Sequence, residues 1–121
     1  MAKYVDGFVI TIRKNKLNAY RGMAQKAGKI WRELGALEYR ECVGDDLNAK
    51  FGLPFPRLVK AKTGETVVFS WIVYRSRAHR DSVNAKVMKD PRIAKMMKEP
   101  SPFDMKRMSY GGFKVLVDVI S

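Results

Sequence analysis

Thr66-Val-Val-Phe-Ser-Trp-Ile-Val-Tyr74 is the stretch whose reading decides the fold. β-branched and aromatic residues dominate it, and its apolar side chains fall on both faces of an extended chain. That pattern predicts a strand in the middle of a sheet, covered on both sides. Ser76-Arg-Ala-His-Arg-Asp-Ser-Val-Asn-Ala-Lys-Val-Met88 follows at once and reads as a helix, with Ser76 as its N-cap.

Working outward, residues 3–12 read as another central strand. Tyr4, Asp6, Phe8, Ile10 and Ile12 share one face; Val5, Gly7, Val9 and Thr11 share the other. Residues 16–34 read as the first helix, because Leu17, Tyr20, Ala24, Ala27, Trp31 and Leu34 recur at spacings of three and four. Asn15 is the expected N-cap and Gly35 the expected C′ residue. Gly28 costs the helix about 1 kcal/mol against alanine, which suggests a close approach to the sheet. Residues 36–43 alternate. Leu37, Tyr39 and Val43 point one way, with Glu41 interrupting them; Glu38, Arg40 and Cys42 point the other. One mainly apolar and one mainly polar face predict an outer strand, or a strand lining a wet cavity.

Residues 44–64 form a connection about four times the usual length. Its prolines speak against a regular helix between 53 and 56, and residues 57–61 suit either a short strand or a helical turn. Phe51 and Phe55 are expected to dock the loop on the body. Asp90-Pro91 opens a second, short helix that Pro100 and Pro102 end. Residues 108–120 read as the last strand, with Gly111-Gly112 marking a bulge or a close backbone approach.

The order strand, helix, strand, loop, strand, helix, small helix, strand is the split-βαβ, ferredoxin-like arrangement. It makes one α+β domain of residues 1–121, with an antiparallel four-stranded sheet and two main helices on one face. The first, third and fourth strands are apolar on both faces, so the second face is expected to be covered by a twofold copy.

Tyr4-Val-Asp-Gly-Phe8, Ala36-Leu-Glu-Tyr39, Gly44-Asp-Asp46, Val68-Phe-Ser-Trp-Ile-Val-Tyr74, Ser76-Arg-Ala-His-Arg-Asp81, Pro102-Phe-Asp104 and Tyr110-Gly-Gly-Phe113 resemble the YbaA-like domain-of-unknown-function family of small bacterial proteins. The resemblance spans nearly the whole chain. It implies a dimeric α+β barrel, the superfamily that also holds small antibiotic-biosynthesis monooxygenases. It carries over no catalytic residue.

Composition bounds the function. The chain has 121 residues, 46% hydrophobic and 30% charged, which suits a single globular domain. No apolar run approaches the ~20 residues of a membrane span. Asp6 and Gly7 interrupt the opening apolar stretch, unlike a signal peptide. The lone Cys42 has no internal disulfide partner. Together these features predict a cytoplasmic protein. A formal charge of +12 favours anionic partners.

No Walker loop, Rossmann glycine pattern or zinc-ligand spacing is present, so no metal and no cofactor is expected. The ligand-pocket candidates are His79, near a helix N-terminus that favours a neutral ring, and the strand positions Asp6, Glu38, Arg40, Cys42, Ser70 and Trp71. Arg40 is the expected partner of a buried acid. The bland reading of His79 is a packed ring making one structural hydrogen bond. That of the strand acids is a satisfied ion pair at the dimer seam. That of Cys42 is a small buried hydrophobe.

The favoured reading is a homodimer that binds a small organic molecule in a cavity between sheet and helices. The alternatives are a nucleic-acid or polyanion binder and a purely structural interaction module. The first helix and Arg75, Arg77, Arg80, Lys86, Lys89, Arg92, Lys95 and Lys98 supply cations for the former, but the exposed aromatics of single-strand binders are missing.

Overall fold

A computed structural model describes residues 2–120. Four strands, β1 (Tyr4–Arg13), β2 (Glu38–Val43), β3 (Glu65–Tyr74) and β4 (Ser109–Lys114), form one antiparallel sheet in the order β2-β3-β1-β4. The helices are α1 (Leu17–Glu33), the single turn α2 (Phe55–Leu58), α3 (Arg77–Met88) and α4 (Pro91–Met97). The ferredoxin-like α+β reading holds. β3 pairs with β1 over ten residues, Tyr4 opposite Tyr74 through Arg13 opposite Glu65, and both are flanked on each side. That is where their β-branched, two-faced sequences belong.

The core lies between the sheet and α1 and α3. At one end Tyr4, Ile72 and Tyr74 of the sheet meet Ile30, Val83, Val87 and Ile93; at the other, Ile10, Ile12 and Val68 meet Tyr20 and Ala24. The even-numbered residues of β1 and β3 therefore face the helices. Fully burying each large apolar side chain contributes about 1.5–3 kcal/mol. Gly28 is where α1 touches the sheet, since a Cβ there would stand 2.6 Å from the Tyr39 ring. Gly35 ends α1 with φ +123°, in the left-handed region that glycine tolerates.

Several local expectations are corrected. Asn15 caps nothing: residues 14–16 form a 3-10 turn, and α1 starts without a side-chain cap. A helical turn does form at Phe55–Leu58. Pro54 precedes it and Pro56 lies in its first turn, where the missing N–H would have had no partner anyway. Gly111 and Gly112 make no bulge, because the β1–β4 register is unbroken. Gly112 instead lies under Tyr4, whose ring occupies the space of a Cβ.

The last strand stops at Lys114, well short of Ile120. Lys114 is already opposite Tyr4, the first residue of β1. The Val115 N–H still donates to the Lys3 carbonyl at 3.0 Å, but beyond it no described strand lies alongside. Leu116, Val117, Val119 and Ile120 are left 95%, 73%, 88% and 75% exposed.

The opposite sheet face carries Val5, Val9, Phe69, Trp71, Val73 and Phe113. Phe69 and Phe113 are 45% and 61% exposed. This face is not wholly open. α2 packs against β3, the Phe55 ring stands 6.1 Å from Phe69, and Thr11 and Val67 at that end are buried. The long connection thus roofs one end of the sheet that the two main helices leave bare.

Candidate functional site

The seven pocket candidates do not form one site, because strand alternation divides them. Asp6 and Ser70 are buried on the helix side. Glu38, Arg40 and Trp71 cluster on the far side. There the Trp71 indole N–H donates to Glu38 at 2.9 Å, Arg40 lies 3.7 Å from Glu38, and its guanidinium sits over the Trp71 ring at 6.0 Å. Cys42 is a half-buried free thiol on the same outer strand.

Arg40 partners Glu38 and not Asp6, which lies on the other side of the sheet. Arg80 of α3 takes that role. Its guanidinium donates to Asp6 at 2.7 Å and to Asp81 at 2.8 Å, and stacks on the Tyr4 ring at 4.9 Å. Burial outweighs the pull of Arg80, so the Asp6 carboxyl lies above its ordinary 3.8.

His79 sits at the turn from β3 into α3. Its backbone N–H donates to the Ser76 cap at 3.1 Å, and its Nδ1 accepts the Arg75 N–H at 3.0 Å. The ring meets Tyr74 edge-on at 5.9 Å, and Nε2 lies against Gly35. The imidazole thus fastens the β3–α3 turn to the end of α1.

A cavity of about 670 Å³ lies between α1 and the outer strand β2. Leu17, Ala24, Gly28, Val43 and Val68 give it an apolar lining, and Arg21, Gln25, Lys29 and Arg32 border it from α1. Inside it is Glu41, the residue that broke the apolar face of β2. The Tyr20 hydroxyl donates to one carboxylate oxygen at 2.7 Å, and the Tyr39 hydroxyl donates to the other at 2.8 Å. Among the described residues no cation lies within ion-pair distance of Glu41. A half-buried acid held by two neutral donors is a polar anchor in an otherwise apolar hollow. Of the pocket candidates only Cys42 borders this cavity; His79 and Trp71 do not. The signal for Glu41 was present in the sequence as an acid out of phase on an apolar strand face.

Burial, and then the Glu41 charge, raise the phenols of Tyr20 and Tyr39 far above their ordinary 10.0. Burial pushes Tyr74 up to about 12. A raised acid stabilises the fold below its unfolded value and loses that contribution as pH climbs through its folded value. At pH 11, absorbance at 295 nm should therefore show these three phenols still protonated in the folded protein and ionised in denaturant. Tyr20→Phe and Tyr39→Phe should leave the folded ionised count unchanged. A drop in that count on either substitution would contradict the geometry around Glu41.

At the far end of α1 a second, polar recess of about 660 Å³ includes Arg13, Lys14, Lys62, Glu65 and Arg107. Hydrogen bonds from Arg107 and the Lys62 N–H hold Glu65 down to about 2. The cations named as a phosphate track are partly consumed. Arg80 is tied as above, and Arg92 bonds Asp90 and Glu33 at 2.8 and 2.7 Å.

The family model described as "Protein of unknown function (DUF1428)" matches residues 3–105. The chain belongs to the DUF1428 family. Curated relatives of this DUF1428 chain include the uncharacterized protein YbaA of Escherichia coli K12, 48% identical over 116 residues, 96% of this chain and 98% of the relative. The Shigella flexneri YbaA matches equally. The YbaA-like resemblance is thereby shown, and these relatives are bacterial.

Among solved structures, a dimeric ferredoxin-like protein from an uncultured marine organism aligns with TM-score 0.61 at 12% identity, covering 98% of this chain and all of that one. A putative antibiotic biosynthesis monooxygenase from Bacillus cereus aligns at 0.60 and 10%, with both chains fully covered. Rv0793 of Mycobacterium tuberculosis aligns at 0.59 and 16%, covering 99% of this chain and all of that one. At such identities the likeness is one of fold. No described helix is long and apolar enough to cross a membrane.

Proposed function

We propose that this DUF1428 protein is a cytoplasmic homodimer that binds a small organic molecule between α1 and β2. The observation that carries the ligand reading is the cavity of about 670 Å³ with Glu41 held between Tyr20 and Tyr39. Small-molecule sites are typically about 300–1,000 Å³, mainly apolar, with a few fixed polar groups. This cavity meets all three criteria.

The dimer reading rests on the far sheet face. Val5, Val9, Phe69, Trp71, Val73 and Phe113 form an apolar surface, and the extended segment 115–120 adds more. A second copy packed sheet against sheet covers the first and offers an apolar surface to the second. A solved structural neighbour described as dimeric is consistent with this. The helix-side cavity then remains open to solvent, because the two surfaces lie on opposite sides of the sheet.

Native mass spectrometry of protein purified from its own host tests the ligand reading. The expected spectrum holds a small retained mass that disappears in Val43→Trp. Val43 is 53% exposed and borders the cavity, so the indole can fill the hollow without displacing the core. Protein that carries no small molecule, and whose uptake of added small molecules is unaltered by Val43→Trp, would overturn it.

A further inference from the structure

The partly buried floor and the exposed rim of the α1–β2 cavity differ in chemistry. From this, and resting on the small-molecule reading above, we infer that the ligand is an amphipathic organic anion: an apolar ring system with an acid group at one end and a hydroxyl donor at the other.

The floor is set by Glu41. Each of its carboxylate oxygens accepts one phenol hydrogen, from Tyr20 or Tyr39. A carboxylate offers about four lone-pair sites, so two remain for a ligand donor. Among the described residues no cation lies in ion-pair reach of Glu41, so those sites are left open to a ligand donor. A ligand acid group placed there would meet a like charge. A ligand hydroxyl would complete the set.

The rim is set by the exposed side chains of α1. Arg21, Gln25, Lys29 and Arg32 recur at spacings of three and four and so form one stripe along the cavity. Arg32 is occupied, donating to the carbonyls of Ala36 and Leu37 at 2.8 and 2.7 Å. Arg21 and Lys29 make no ion pair among the described residues. Two free cations on the rim match an anionic group on the ligand's solvent side. The apolar lining of Leu17, Ala24, Gly28, Val43 and Val68 suits an apolar ring.

The test uses three fluorescent probes on the full-length protein: 6-hydroxy-2-naphthoate, 2-naphthoate without the hydroxyl, and the neutral methyl ester of the hydroxy acid. Fluorescence anisotropy is expected to show the hydroxy acid binding about tenfold or more tighter than 2-naphthoate, since a hydrogen bond to a charged group is lost. Its advantage over the ester should be several-fold at low salt and shrink as salt is added. Arg21→Glu with Lys29→Glu should remove the preference for the acid. Lys26→Glu with Lys86→Glu, both exposed and outside the cavity, serves as the charge-matched control and should preserve it. Glu41→Leu should remove the preference for the hydroxyl, with circular dichroism checking the fold and Val43→Trp reporting independently that the cavity is the site.

If ester and acid bind alike, or naphthoate and hydroxynaphthoate bind alike, the inferred ligand class is wrong while the small-molecule reading stands. If no probe binds and the protein from its host carries none, both fall.

Discussion

Phe69→Asp is expected to split the proposed dimer into folded subunits. Phe69 lies on the central strand β3, on the face away from α1 and α3, and is 45% exposed within one subunit. Inside the subunit its ring neighbours are Phe55 at 6.1 Å and Trp71 at 5.6 Å, on the face away from the helices. The substitution therefore costs a lone subunit little. In a face-to-face dimer the twofold buries the position twice. Each copy loses the burial of a half-exposed ring, about 1 kcal/mol, and each would also bury a carboxylate without a partner. The dissociation constant should rise by about a hundredfold or more, following about 1.4 kcal/mol per factor of ten. Sedimentation velocity across a dilution series, beside far-ultraviolet circular dichroism, separates dissociation from unfolding. A variant that keeps the wild-type mass would place the interface elsewhere.

Arg80→Met should be the most destabilising change on the helix side. Arg80 is 18% exposed and Asp6 is 8% exposed by side chain, and they meet at 2.7 Å. Removing the cation leaves a buried carboxylate unpaired, a defect that costs about 3 kcal/mol at the low end of its usual range. The methionine keeps most of the apolar stem in place over Tyr4. Asp6→Asn in the Arg80→Met background should recover a substantial part of the loss, since the uncompensated charge goes with it.

The pH dependence of this pair has a definite sign. The Asp6 carboxyl is already raised above 3.8 because burial outweighs Arg80. Its contribution to stability is thus full below pH 3.8 and declines as pH rises through the folded value. Without Arg80 the folded value moves further up, and the decline extends toward neutrality. Urea unfolding of Arg80→Met between pH 4 and 7 should show the deficit against wild type growing with pH. A constant deficit would mean that lost packing, not charge, explains the variant.

The fold was legible because β1 and β3 state their places twice over. Their residues alternate at period two and are apolar on both faces, which only an inner strand requires. α1 announced itself through the stripe from Leu17 to Leu34, and Gly28 through its cost to a helix. The extent of the last strand was not legible. Val115 to Ile120 have the alternation and β-branching of a strand, but a strand needs a neighbour, and β1 begins at Tyr4. Pairing is a property of two segments, so composition of one cannot fix where it ends.

The candidate site was not legible. Glu41 showed only as an interruption of an apolar face and was not among the pocket candidates, of which Cys42 alone borders the cavity. The polar strand positions Asp6, Ser70, Glu38 and Arg40 were harder, because which face meets the helices depends on register and not on polarity. Arg80 could be matched to Asp6 only once α3 was laid across β1, 74 residues away in sequence. The fold was readable and the cavity was not for a reason of range: periodicity is local, whereas pockets join distant segments.

The central claim is that the sheet face bearing Phe69 and Phe113 is covered by a second copy of the chain. Sedimentation equilibrium at tens of micromolar tests it most directly. The expected result is a species of twice the 13.8 kDa chain mass. A single species of 13.8 kDa that persists at the highest concentrations, with that face in water, would contradict it.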